Sequence, residues 1–284
     1  MNAKHMRFFA AIWVVGAAAA PLLAGDAPAG AAGELAAMDI VRKANRVAYY
    51  QGADGRAHVS MAITDAQGRT RSREMTILRR DEADPKADAA KKDEFCGGQK
   101  FYVYFHRPAD VNKMSFLVWK HLGKDDDRWL YLPGLDLVKR ISSADKRTSF
   151  VGSHFFYEDV SGRNIDADTH ELVKTTKNYY VLKSMPKDPK SVEFAHYTTW
   201  IHRGTFIVVQ QEYFDRGGGK IRNYKALAMK KIQGFWTVTK SRMSDLRTKG
   251  STVLTYSDVT YNLGAPESIF TERYLRKAPR DYLE

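Results

Sequence analysis

Cysteine is almost absent from this chain. Cys96 is the only one among 284 residues, so no internal disulfide can form, and no Cys/His spacing of the zinc-site type occurs. Stability must then come from a packed core. Catalytic signatures are missing too: there is no G-x-S-x-G elbow, no H-E-x-x-H and no nucleotide loop. The eight histidines are scattered along the chain. Asp125-Asp126-Asp127 lacks the alternating ligand set and the distal Glu of a calcium loop. Gly217-Gly218-Gly219 has no strand-to-helix context and no following Lys-Ser/Thr, so it is not a phosphate cradle. Glu158 and Asp159 are adjacent acids, and neighbours in sequence commonly point apart; packing or helix-N-terminal roles suit them better than paired acid–base work. These absences read as a non-enzyme with no cofactor and no metal site. No motif supports nucleic-acid binding.

Long apolar runs are also scarce. Phe8 to Ala20 is the longest, too short for a comfortable membrane span, and it follows the basic residues Lys4 and Arg7. It reads as a secretory signal peptide over residues 1–24, with a cut anywhere from Ala24 to Ala29. Leu22-Leu23-Ala24-Gly25 would form a lipoprotein box if a cysteine followed, but residue 26 is Asp. The expectation is a periplasmic protein without a lipid anchor, with residues 25–33 as a linker.

What is present points to a β protein. Hydrophobic residues make up 44% and aromatics 12%, ample for a core. Residues 34–51 carry apolar positions at helical spacing (Leu35, Met38, Val41, Ala44, Val47, Ala48), stopped by Gly52. From Val59 the period becomes two. Val59, Met61 and Ile63 alternate with small or polar residues, Asp65–Arg69 is a hairpin turn, and 71–78 returns. Residues 80–99 form a charged, solvated loop. Strands are expected at 100–106, 114–119, 129–132, 135–141, 170–183, 192–201, 206–213, 221–229, 235–243 and 252–261. About ten strands with one helix make a large curved antiparallel sheet. Residues 266–275 hold anchors in Phe270 and Leu275, and 276–284 read as a loose polar tail.

The stretch 129–160 is the most distinctive. Trp129 and Tyr131 face one way and Leu130 and Leu132 the other, so this strand is covered on both faces or encloses something. Pro133-Gly134 supplies a reversal, with glycine expected at positive φ. The runs WLYLPGLDLVKRIS and SFVGSHFFYEDV, with FHRPADV at 105–111 and Phe116-Leu117 upstream, resemble the outer membrane lipoprotein-sorting protein-like family, relatives of the periplasmic lipoprotein carrier with the LolA/LolB-type fold. The resemblance covers about 36–275. It implies an incomplete, half-open β-barrel whose concave face is covered by helices, with an apolar cavity between; residues 34–275 would be that lipid-binding domain.

A cavity lined by Met, Phe, Ile and Val suits an acyl chain, and unbranched methionines adapt to varied shapes. The cavity candidates are Met61, Ile63, Met75, Ile77, Phe101, Val103, Phe105, Phe116, Val118, Leu130 and Leu132. The reading for each that needs no ligand is plain core. A formal charge of +12 fits transient contact with an anionic membrane surface, with Lys139, Arg140, Lys146 and Arg147 as candidates for a rim. The expected function is a periplasmic carrier that shields lipid or lipoprotein acyl chains between membranes. One alternative is a non-enzymatic accessory protein of an inner-membrane transporter of the resistance-nodulation-division type. Another is a structural envelope protein whose barrel is filled by its own side chains.

Overall fold

The computed structural model describes residues 35–82 and 97–284. The expected signal peptide and linker, most of the charged loop and Cys96 lie outside the described residues. Helix α1 (Ala37–Tyr49) leads into six strands: β1 (Asp54–Thr64), β2 (Thr70–Asp81), β3 (Gln99–Arg107), β4 (Ser115–Lys120), β5 (Asp127–Leu132) and β6 (Leu137–Arg140). A long crossover, 141–167, contains the short helix α2 (Tyr157–Ser161). Seven strands follow: β7 (Asp168–Thr175), β8 (Tyr179–Pro186), β9 (His196–His202), β10 (Val208–Phe214), β11 (Lys220–Ile232), β12 (Phe235–Asp245) and β13 (Gly250–Tyr261). A C-terminal segment with α3 (Arg273–Arg276) completes the described chain.

All thirteen strands belong to one antiparallel sheet in the order β6-β5-β4-β3-β2-β1-β13-β12-β11-β10-β9-β8-β7. The topology is two meanders. The first runs outward from β1 to β6. The crossover then carries the chain to the opposite edge, and the second returns until β13 pairs with β1. Among the described residues strands β6 and β7 are the edges of the sheet and do not pair with each other, so the sheet is curled but not closed.

The inner face is the one covered by α1 and the crossover. The period-two pattern places Val59, Met61, Ile63, Met75, Phe105 and Phe116 there, packed under Phe150, Phe155 and Tyr157 of the crossover. Helix α1 covers the other half of this face, with Ile40 and Ala44 against Tyr180, Leu182 and Ile201. The outer face of β2–β5 is covered by the C-terminal segment: Leu78, Tyr102, Leu117 and Trp129 meet Ile269, Phe270, Leu275 and Leu283. Strand β5 is thus apolar on both sides because both sides are covered. Each such large side chain taken out of water contributes about 1.5–3 kcal/mol.

Four details differ from the sequence reading. Residues 170–183 are two strands, because Thr176 makes a turn in which its hydroxyl accepts from Tyr179 N at 2.9 Å; apolar alternation on either side hides it. The 192–201 strand begins only at His196. At the Pro133 reversal a short 3-10 turn forms, and Asp136 rather than Gly134 takes the positive φ, 43°. The terminal residues 276–284 are not loose. Leu283 is buried, and its carbonyl accepts from Thr76 Oγ1 at 3.0 Å.

Candidate functional site

Between the inner face, the C-terminal turn of α1 and the crossover lies a cavity of about 320 Å³. Met61, Met75, Ile77 and Phe101 line it from β1–β3, Phe150 and Phe155 form the roof, and Met243 and Leu254 continue the same inner face across β12 and β13, Leu254 directly opposite Met61 in the register. These positions face inward because strand side chains alternate and β1, β2, β12 and β13 are adjacent. Ala48 and Trp236 line the cavity yet are exposed, so its mouth opens where α1 ends against the β11–β12 hairpin. Gln51 ties these two elements together: its Nε2 donates to Val47 O at 2.6 Å and to Trp236 O at 2.7 Å.

The deep end is polar. Tyr49, Tyr213, Tyr224 and Tyr256 line it together with Gln211 and Ser241. Burial pushes the Tyr213 phenol up to about 12, helped by Asp159, and burial pushes Tyr256 up to about 12 as well. Tyr49 and Tyr224 are shifted upward too, with burial again the main cause. All four remain neutral hydroxyls at ordinary pH. A smaller cavity of about 140 Å³ adjoins this end and shares Tyr49, Asp159, Gln211 and Tyr213. Its other walls include Asn45, Thr199 and His170, whose Nε2 donates to Ile165 O at 2.8 Å, leaving Nδ1 to accept from Ser184 Oγ at 2.8 Å.

A buried ionic network supports the roof. Arg147 clasps Glu193 through Nη2 at 2.6 Å and Nε at 3.0 Å, and reaches Glu158 through Nη1 at 2.9 Å. Arg163 grips Asp168 at 2.8 and 2.9 Å, and Asp168 also accepts from Tyr197 OH at 2.8 Å. Arg222 is fully buried; it donates to Asp159 at 2.7 Å and lies 3.7 Å over the Phe156 ring. Burial pushes the Asp159 carboxyl up, but Arg222 and Arg147 outweigh it and hold the group below the usual carboxylate range. Asp159 also accepts from Phe156 N at 2.8 Å, which caps α2. Charges buried this way are retained only because each is paired and hydrogen-bonded.

Of the residues singled out from sequence, Met61, Met75, Ile77 and Phe101 line the cavity. Ile63, Val103, Phe105, Phe116, Val118, Leu130 and Leu132 face the same way but pack under the crossover, clear of the cavity walls. Phe150 and Tyr157, each with its ring centroid 5.3 Å from that of Phe116 and tilted against it, fill that region. The rim set does not form one surface. Lys139 is exposed and Arg140 pairs with Asp127. Lys146 is held by Asp125 at 2.8 Å. Arg147 is buried in the network, so it cannot face a membrane; its aromatic and acidic neighbours draw it inward. The sequence reading missed the second-meander wall, Tyr213, Tyr224, Met243, Leu254 and Tyr256. The period-two pattern of 222–226 and 252–256 carries that signal, but it does not say which strands adjoin β1.

A family model whose description reads only "uncharacterized protein" matches residues 97–277, well over half of the chain. Among solved structures, a DUF1329 family protein from Desulfovibrio piger is 27% identical, with a TM-score of 0.72 over 84% of this chain and 96% of that one. A domain from Vibrio parahaemolyticus described as an outer membrane lipoprotein-sorting protein domain is also 27% identical, with a TM-score of 0.75 over 85% of this chain and 98% of that one. A LolA superfamily protein from Nitrosomonas europaea shares the fold at 19% identity and a TM-score of 0.63, over 85% of this chain and 100% of that one. No curated protein matches the sequence significantly. With its half-open antiparallel sheet, helical cover and family match, the chain belongs to the DUF1329-like family of LolA-type fold.

Proposed function

We propose that this protein is a periplasmic carrier that shelters an acyl chain or another apolar lipid while it passes between membranes. The observation that carries the reading is the cavity itself. At about 320 Å³ it falls at the lower end of the roughly 300–1,000 Å³ range of ligand pockets. Its largely apolar walls lead from an open mouth to a hydroxyl-rich end, where the one carboxylate, Asp159, is paired with Arg222. Methionines and phenylalanines adapt to a chain of variable shape, and each methylene buried adds about 0.8 kcal/mol. The likeness to a lipoprotein-sorting domain and the signal-like N-terminus support the same reading. An envelope protein with a barrel filled by its own side chains would leave no such space. The reading assigns no reaction to the protein.

The test is lipid analysis of the mature protein purified from a periplasmic fraction without detergent. Native mass spectrometry is expected to give a protein–lipid mass, with the lipid released on denaturation. A bare protein mass that stays unchanged after incubation with phospholipids and acylated peptides would overturn the proposal.

A further inference from the structure

The basic surplus of the chain is not evenly spread. From Lys220 to Ser244 there are seven Lys and Arg residues and no acid. This stretch is the β11–β12 hairpin. Arg222 is buried in the ionic network and Lys220 pairs with Glu212 at 2.7 Å. The remaining five, Lys225, Lys230, Lys231, Lys240 and Arg242, are exposed, and none has an ion-pair partner among the described residues. Lys225 stands directly opposite Arg242 in the register. Like charges so placed repel each other, and no ion pair among the described residues offsets the cost.

Apolar side chains are exposed among these cations. Leu227 is 41%, Met229 38% and Trp236 39% exposed. The combination of a half-exposed indole, aliphatic side chains and flanking lysines suits the boundary between headgroups and acyl chains. At the β5–β6 end, by contrast, Leu135 and Leu137 are exposed but the neighbouring Arg140 and Arg276 are taken up by Asp127 and Asp136. We infer that the β11–β12 hairpin is a docking surface for an anionic lipid bilayer. Charge complementarity selects the partner, and position gives the contact its use: Trp236 lines the mouth of the cavity, and Gln51 links it to the end of α1. Docking there sets the mouth against the membrane. The inference extends the carrier reading but does not require a lipid in the cavity.

Flotation of the mature protein with phosphatidylcholine vesicles, with and without phosphatidylglycerol, tests it. The protein is expected to float only with phosphatidylglycerol, and less so as salt rises. Each lysine near an anionic surface is worth about fivefold in partitioning, so Lys230→Gln with Lys231→Gln should lower binding roughly 30-fold. Trp236→Phe should abolish the fluorescence blue shift on vesicle addition. Lys139→Gln with Arg140→Gln should leave binding unchanged. Failure of the wild type to float, or equal losses for both pairs of substitutions, would overturn the inference. The outcomes separate from those of the carrier proposal: a protein empty of lipid that still binds vesicles keeps the docking surface, and a lipid-loaded one that ignores them loses it.

Discussion

Two residues of the crossover carry sharp expectations. Asp159 is the partner of a fully buried arginine, and removing one member of such a pair typically costs about 3–5 kcal/mol. Asp159→Asn should therefore lower the melting temperature by about 6–20 °C for a chain of this size, read by circular dichroism. The folded protein holds this carboxyl below its ordinary value. The stability it contributes is present in full above about pH 4 and is lost as the pH falls through the lower folded value. The variant should lose that part of its acid dependence. Gly162 has φ 76°, and a Cβ there would meet the Tyr49 ring at 2.5 Å. Tyr49 is wedged between that glycine and the two cavities. Gly162→Ala is expected to destabilise by about 1–3 kcal/mol and to displace Tyr49; a melting curve identical to wild type would contradict this packing.

At the scale of elements, the C-terminal segment works as the cover of the outer face. Trp119 Nε1 donates to Phe270 O at 2.8 Å, Tyr102 OH to Tyr274 O at 2.8 Å, and Ser115 Oγ to Leu275 O at 2.7 Å. Deleting residues 263–284 would bare Leu78, Leu117 and Trp129, so the truncated protein should aggregate or melt far below the full chain. A soluble truncation with native stability would contradict this role. The last turn is expected to respond to pH. Thr76 Oγ1 donates to Leu283 O, and both His58 Nδ1 and His106 Nε2 contact the same hydroxyl at 3.1 and 2.8 Å. Burial, and then the neighbouring His58, hold His106 below its ordinary value. The unfolded chain therefore takes the proton first, and stability declines as the pH falls below about 6.5. Amide exchange at Leu283 should quicken in that window.

The elements were unevenly legible in the sequence. The β1–β2 hairpin could be read because Asp65 both breaks the alternation and makes its own turn, accepting from Gln67 N and Arg69 N at 3.0 Å. Strand β5 declared its two covered faces through Trp129 and Leu130. The outer cover was harder to see, because its few apolar residues are spaced one to a turn among charges and fill separate gaps. The ionic network could not be read at all. Arg147 meets Glu193 across 46 residues and Arg222 meets Asp159 across 63, distances that only the fold closes. The same holds for the cavity: its first-meander wall was legible as alternation, but its second-meander wall depends on β13 returning to β1.

The whole molecule joins three features: an open sheet braced by a buried network, a largely apolar cavity, and a hairpin with exposed basic and apolar side chains at its mouth. The central claim is that the cavity holds lipid. Native mass spectrometry of the wild type and Leu254→Trp, side by side, tests it most directly, with melting curves confirming that both fold. Leu254 lines the cavity beside Met61, and a tryptophan there puts a larger, rigid indole into the space a chain would follow. The account predicts one lipid per wild-type protein, released on denaturation, and little or none on the variant. A wild type without lipid, or a folded variant that carries lipid equally, would contradict it.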